Sequence, residues 1–245
     1  MAHTFDAKAR KTGTANPLLA PHTCGSGATL LVLSLVVAGA GVRTGGSPTY
    51  NGVAMTKVGG IAATETNCEM WYLANPSIGT FNVSIPNAGA LTLYAITSSY
   101  KAQAGYTSAI DAHSDDSEVS ANPAVSLYTT ANGDVVVSTM GDGYNSKPTA
   151  YSHVLLYSTD DGLYSDNAQY ALQENLGLIT LSWTVASDDW CMIVGAFKEV
   201  AVGGPGFRKL QYSTEPPTTG AFNKLKYISE PPVPAAWNKL AYLGE

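Results

Sequence analysis

Few residues in this chain have the type and spacing that chemistry requires. Asp111, Asp115, Asp116 and Glu118 crowd into one short stretch, and carboxylates gathered in a loop between strands are what Ca2+ takes, with six to eight oxygen ligands. The EF-hand spacing is absent, and like charges in loops are ordinarily just solvated. No metal set is therefore expected, and these four are the nearest approach to one. Asp160, Asp161 and Asp166 form a second acidic cluster and Asp188-Asp189 a third. His113 stands among Asp111, Asp115 and Asp116 as half of a triad would, but no serine has the context of a nucleophile. His3, His22 and His153 are scattered, and His153, at the head of a strand-like run, reads as a hydrogen bonder at a strand end.

G-x-S-x-G, the P-loop, HExxH and a G-x-G-x-x-G turn are all missing, and no carboxylate pair is marked out for glycoside hydrolysis. The expectation is a non-enzymatic protein with no catalytic residue and no cofactor, Ca2+ being the one ion its composition suggests. Cys24, Cys68 and Cys191 lie far apart with no CxxC pair. Either one bridge joins two strands, or all three are buried free thiols.

The elements that would position these residues are strands. The chain has 245 residues, 45% hydrophobic and only 13% charged, with 24 Gly and 13 Pro, which excludes a solvated coil and a coiled coil. Its net charge of −6 argues against general nucleic-acid binding. The apolar run from Ala28 to Val42 falls short of the roughly 20 residues of a spanning helix. It reads instead as a strand buried on both faces, so no membrane partner is expected.

From about residue 28 to 200, short β runs alternate with turn signals, as in a sandwich. Strands are expected at 29–38, 50–58, 67–74, 80–86, 90–98, 124–130, 134–140, 153–158, 177–185 and 190–200. Asn132-Gly133 is the strongest hairpin signal. Asp166 to Leu176 fits either a short capped helix or a loop with one irregular strand. The fold class is all-β: an antiparallel, jelly-roll-like β-sandwich at 28–202, an extended N-terminal arm at 1–27, and a C-terminal tail at 203–245.

That tail carries the most specific pattern. Phe207-Arg-Lys-Leu-Gln-Tyr-Ser-Thr-Glu-Pro-Pro is followed by Phe222-Asn-Lys-Leu-Lys-Tyr-Ile-Ser-Glu-Pro-Pro and then Trp237-Asn-Lys-Leu-Ala-Tyr-Leu-Gly-Glu, a period of 15 in three copies. A repeated unit implies a repeated contact. Fifteen residues cannot bury their own aromatic and leucine, and the prolines bar a helix. Residues 203–245 carry a net +2 and the other 202 residues a net −8, so the tail suits the surface of another copy. The expected partner-binding residues are Phe207, Lys209, Leu210, Tyr212, Phe222, Lys224, Leu225, Tyr227, Trp237, Lys239, Leu240 and Tyr242. The alternative is a tail that folds back on its own body.

Leu30 to Val37, Tyr50-Asn-Gly-Val-Ala-Met-Thr56, Trp71-Tyr-Leu-Ala-Asn-Pro76, Gly79-Thr-Phe-Asn-Val-Ser-Ile85, Ser182-Trp-Thr184 and Trp190 to Lys198 together resemble a β-sandwich domain that recurs in bacteriophage virion proteins and bacterial surface proteins. The tail resembles Pro-rich aromatic repeats at the ends of phage structural proteins. The resemblance implies a structural protein of the virion, either a capsid decoration protein or a tail or fibre component. Its partners would be other virion subunits, whether copies of itself or the major capsid or tail protein, and a host-surface glycan. No catalytic residues transfer. Two other classes fit the same pattern. One is a carbohydrate-binding surface module using Tyr94, Tyr100, Tyr106, Tyr128, Tyr144 and Tyr151; the other is a subunit of an extracellular filament.

Overall fold

A computed structural model describes residues 3–39, 43, 45–143, 147–160, 164–202, 210–211 and 226–227. The chain divides into two units, Met1–Val200 and Ala201–Glu245. The first half of unit 1 begins with β1 (Thr4–Gly13), β2 (Leu18–Cys24), β3 (Leu30–Ala38), β4 (Thr49–Tyr50) and β5 (Val53–Ala54). It continues with β6 (Thr56–Ala62), β7 (Thr66–Ala74), β8 (Gly79–Ile85) and β9 (Leu93–Lys101). The second half opens with β10 (Tyr106–Ser120), β11 (Ala124–Thr129), β12 (Asp134–Asp142) and β13 (Ala150–Tyr151). It closes with β14 (Val154–Asp160), β15 (Ser165–Gln173), β16 (Gly177–Thr184) and β17 (Asp188–Ala201).

Four sheets stack in the order outer, inner, inner, outer. The first inner sheet runs β1-β9-β3-β7-β6 and its outer partner β2-β8-β4-β5. The second inner sheet runs β10-β17-β12-β15-β14 and its outer partner β11-β16-β13. Strand β3 explains the arrangement. Its even positions Leu30, Val32 and Val36 enter the core between the inner sheets. Its odd positions Leu31, Leu33, Leu35 and Val37 enter the core against the outer sheet. Period-2 alternation therefore shows no polar face, because both faces are covered. Each such side chain contributes about 2 kcal/mol by leaving water. On β12, Val135 and Val137 face the first inner sheet while Val136 and Met140 face the second outer sheet.

The two halves have the same strand order. Placing β10, β11, β12, β13, β14, β15, β16 and β17 on β1, β2, β3, β4, β6, β7, β8 and β9 turns one pair of sheets into the other. Each half is a jelly roll, its strands divided between two facing sheets. The ladders carry the match to single residues. Leu30 lies opposite Ala74 and Tyr100, and Val135 lies opposite Leu172 and Phe197. Contacts follow: Tyr100 meets Tyr170 at 5.5 Å, and Phe197 meets Tyr72 at 5.5 Å. Gly79 and Gly177, at matched starts of β8 and β16, both adopt positive φ (117° and 145°), which favours glycine.

Several expectations are corrected. The segment expected as an arm at 1–27 is, where described, part of two sheets: β1 pairs with β9 from Thr4–Lys101 to Gly13–Leu93, and β2 alternates buried Leu18, Ala20, His22 and Cys24 with exposed Leu19, Pro21 and Thr23. Where one sandwich was expected at 28–202, two are stacked, and they include those first strands. Gly133 does make a positive-φ turn, but the strands it joins, β11 and β12, belong to different sheets, so it is not a hairpin. Of the two readings of Asp166 to Leu176 the strand is the one found, and it is regular through Gln173. Asp111, Asp115, Asp116 and Glu118 lie not in a loop but along β10.

Candidate functional site

The expected partner anchors Phe207, Lys209, Tyr212, Phe222, Lys224, Leu225, Trp237, Lys239, Leu240 and Tyr242 lie outside the described residues. Of Leu210 and Tyr227 only the backbone is described. Within unit 2, β18 (Leu210–Gln211) pairs antiparallel with β19 (Lys226–Tyr227), Leu210 opposite Tyr227. The first and second repeats thus pair out of step, the leucine position of one opposite the tyrosine position of the other.

The tyrosine platform is dismantled in part. Tyr94 and Tyr100 are 1% and 0% exposed, within the core between the inner sheets, where period-2 alternation sends them inward. Tyr106, Tyr128 and Tyr151 are exposed, and Tyr144 lies outside the described residues. Tyr151 stands beside Trp183 over a dimple of about 170 Å³ lined by Ala150, Ser152, Ser182 and Thr184. That is below the roughly 300–1,000 Å³ of pockets that engulf a small ligand. The outer sheets differ at matched positions. Thr23 and Thr80 share a hydrogen bond of 2.7 Å on one, whereas Tyr128 lies opposite Leu178 on the other, both more than half exposed.

The acidic candidates for Ca2+ do not converge. Asp115 and Asp116 are neighbours on a strand and point to opposite faces. Among the described residues no three His, Cys, Asp or Glu side chains could share an ion. Asp111 is engaged in a clamp instead. It accepts hydrogen bonds from the Thr130 amide (2.5 Å) and hydroxyl, and pairs with Lys198 Nζ at 3.0 Å. Burial would raise this carboxyl, but those bonds hold it down at about 2. The first half repeats the clamp. Asp6 accepts from the Gly25 amide (2.8 Å) and pairs with Lys101 at 3.0 Å; Gly25 and Thr130 are matched positions, as are Lys101 and Lys198. Next to the second clamp, Asp134 is fully buried with its carboxyl against that of Asp111, to which it donates when protonated. Burial first, then the Asp111 carboxylate, push it up to about 7.

The remaining histidines serve structure. His3, fully buried, contacts Ser108 Oγ at 2.9 Å and the Gly133 carbonyl at 3.1 Å. His3 and Ser108 are matched positions, so the two halves touch there through equivalent residues. His22 bonds Thr97 and is pushed down to about 4 by burial. His153 Nε2 contacts the Thr180 carbonyl, at a strand end as expected.

The face where the halves meet holds the densest chemistry. Arg10 on β1 grips Asp166 on β15 with two bonds, 2.7 and 2.8 Å, and Lys8 donates to the Leu156 carbonyl. Cys68 on β7 and Cys191 on β17 bring their sulfurs within 2.8 Å. All three cysteines are buried and unbridged in this structure. The meeting of Cys68 and Cys191 across 123 residues had no local signal in the sequence. The matched spacings Phe5-Asp6-Ala7 with Ile110-Asp111-Ala112, and Tyr100-Lys101 with Phe197-Lys198, could have revealed the duplication.

No family model, curated protein or solved structure matches this chain.

Proposed function

We propose that this chain is a non-enzymatic structural protein of a virion, a capsid decoration protein or a tail or fibre component, whose C-terminal repeats dock on neighbouring subunits. The observation that carries the reading is the threefold 15-residue repeat beyond Gly203, outside the residues that build the three core clusters of the body. Among the described residues, the three core clusters draw on Leu18 to Phe197, and the tail forms a unit of its own. Repeated anchors outside that core suit attachment, because three linked weak contacts multiply when their spacing matches the sites. The net +2 of the tail against the −8 of the rest favours contact with another copy.

Deleting residues 203–245 tests this. The truncated protein is expected to stay soluble and keep the unfolding midpoint of the full chain, yet to fail to incorporate into particles or ordered assemblies. Normal incorporation would make the tail a passive appendage. Open fibres in place of closed particles, when the purified full chain is imaged, would favour the filament reading instead.

A further inference from the structure

We propose that Cys68 and Cys191 are the two ends of an intramolecular disulfide that ties the halves of unit 1 together across their shared face. The geometry is specific. Sheets stacked face to face normally lie about 10 Å apart, too far for two cysteines to reach each other easily. Here the gap is narrowed by Gly141, which lies beside Cys191 in the β12–β17 ladder. A Cβ at Gly141 would meet Val36 Cγ1 at 2.7 Å, Thr66 Oγ1 at 2.8 Å and Cys68 Sγ at 3.3 Å. The absent side chain lets the inner sheets approach at this point, and the thiols arrive 2.8 Å apart. Each half supplies one thiol, at positions 1% and 0% exposed. Cys24 ends β2 of the first outer sheet, in a different core cluster, and takes no part.

The bond needs an oxidant, and a small-molecule disulfide suffices. One cysteine thiolate attacks that disulfide, forming a mixed disulfide and releasing one small thiol. The other cysteine thiolate then attacks the mixed disulfide at the protein sulfur, closing Cys68–Cys191 and releasing the second small thiol. Two protein thiols are oxidised and one disulfide is reduced to two thiols. Burial pushes the Cys68 thiol well up, which makes it a poor nucleophile in the fold, and neither sulfur is open to a reagent there. Exchange therefore takes place before the inner sheets close, during folding. The loop the bond closes spans more than 120 residues, where the restriction of the unfolded chain is large.

The test is to refold the full chain from denaturant in oxidised glutathione and, separately, in a reductant, and then to block free thiols with a maleimide under denaturing conditions. The oxidised sample is expected to carry one blocked thiol, Cys24, and a cross-linked Cys68–Cys191 peptide pair. Its intact mass before blocking should be lower by two hydrogens, and its thermal midpoint higher by roughly 10 °C. Cys24→Ser should form the same cross-link; Cys191→Ser should form none and show a midpoint indifferent to oxidant. Three blockable thiols after oxidative refolding, a bridge between chains or to Cys24, or a cross-link that lowers the midpoint would each overturn the proposal. The wild-type thiol count decides the matter even if the Cys191 variant fails to fold.

Discussion

The duplicated clamp shows what single side chains contribute. Asp6 and Asp111 occupy matched positions and take matched partners, but only the second has a buried carboxyl, Asp134, beside it. An unfolded aspartate titrates near 3.9, and Asp134 in the fold titrates at about 7. A group whose folded value is raised gives its full stability below the unfolded value and loses it as pH climbs through the folded one. The loss therefore runs from about pH 4 to 7 and reaches about 4 kcal/mol. His22, lowered to about 4, acts in the opposite sense over nearly the same window, since its stability is lost as pH falls. The raw pH profile of the wild type mixes these with other shifted groups, among them His3, which burial also lowers. Replacing Asp134→Asn separates them, because His22 is common to both proteins and cancels in the difference. The two proteins should have equal urea midpoints at pH 4, and the variant should be clearly the more stable at pH 8. A difference independent of pH would show that Asp134 stays ionised throughout.

At the level of strands, the sequence disclosed what is local and hid what is not. The β3 run and the alternating Phe81-Asn82-Val83-Ser84-Ile85 were legible because burial writes itself into periodicity. Strand β1 was missed because its burial is slight and uneven along its length, and three basic residues made it look like solvated arm. The Asn132-Gly133 turn was legible as a turn, but which sheets its strands join depends on partners more than thirty residues away. Of the candidate sites, the tail repeats are visible in sequence by their period, whereas the thiol pair exists only through the packing of two sheets. That packing depends on two glycines of the second inner sheet. At Gly141 an added Cβ would strike Val36 and Thr66, both β-branched and stiff. At Gly195 it would meet Met70 Sδ at 2.8 Å, on a flexible side chain. Gly141→Ala should therefore cost about 3 kcal/mol and Gly195→Ala about 1 kcal/mol. Denaturant midpoints with unchanged m-values check both, and equal costs would mean that the sheets do not meet more closely at Gly141.

For the whole molecule, the decisive fact is that the two jelly rolls are alike in topology and unlike in charge where they meet. Asp166 and Cys68 are matched positions, so a first half paired with a copy of itself would set Arg10 against a thiol where the real molecule offers a carboxylate. That carboxylate has no exposure, and a buried charge left without its partner costs about 3–5 kcal/mol. Alone, the first half would also bare Leu30, Val32, Val36, Met70, Tyr94, Ile96 and Tyr100, a contiguous apolar patch of the kind soluble monomers rarely show. Residues 1–104 and 105–202, expressed separately, should therefore aggregate. Expressed together they should copurify one to one through a tag on either piece, and Asp166→Ala should reduce the recovered complex. The cut falls in the exposed turn ending at Gly105, where it breaks no strand. A soluble, monomeric first half would mean that its inner face is not committed to the second half, and the duplication would then be one of architecture alone.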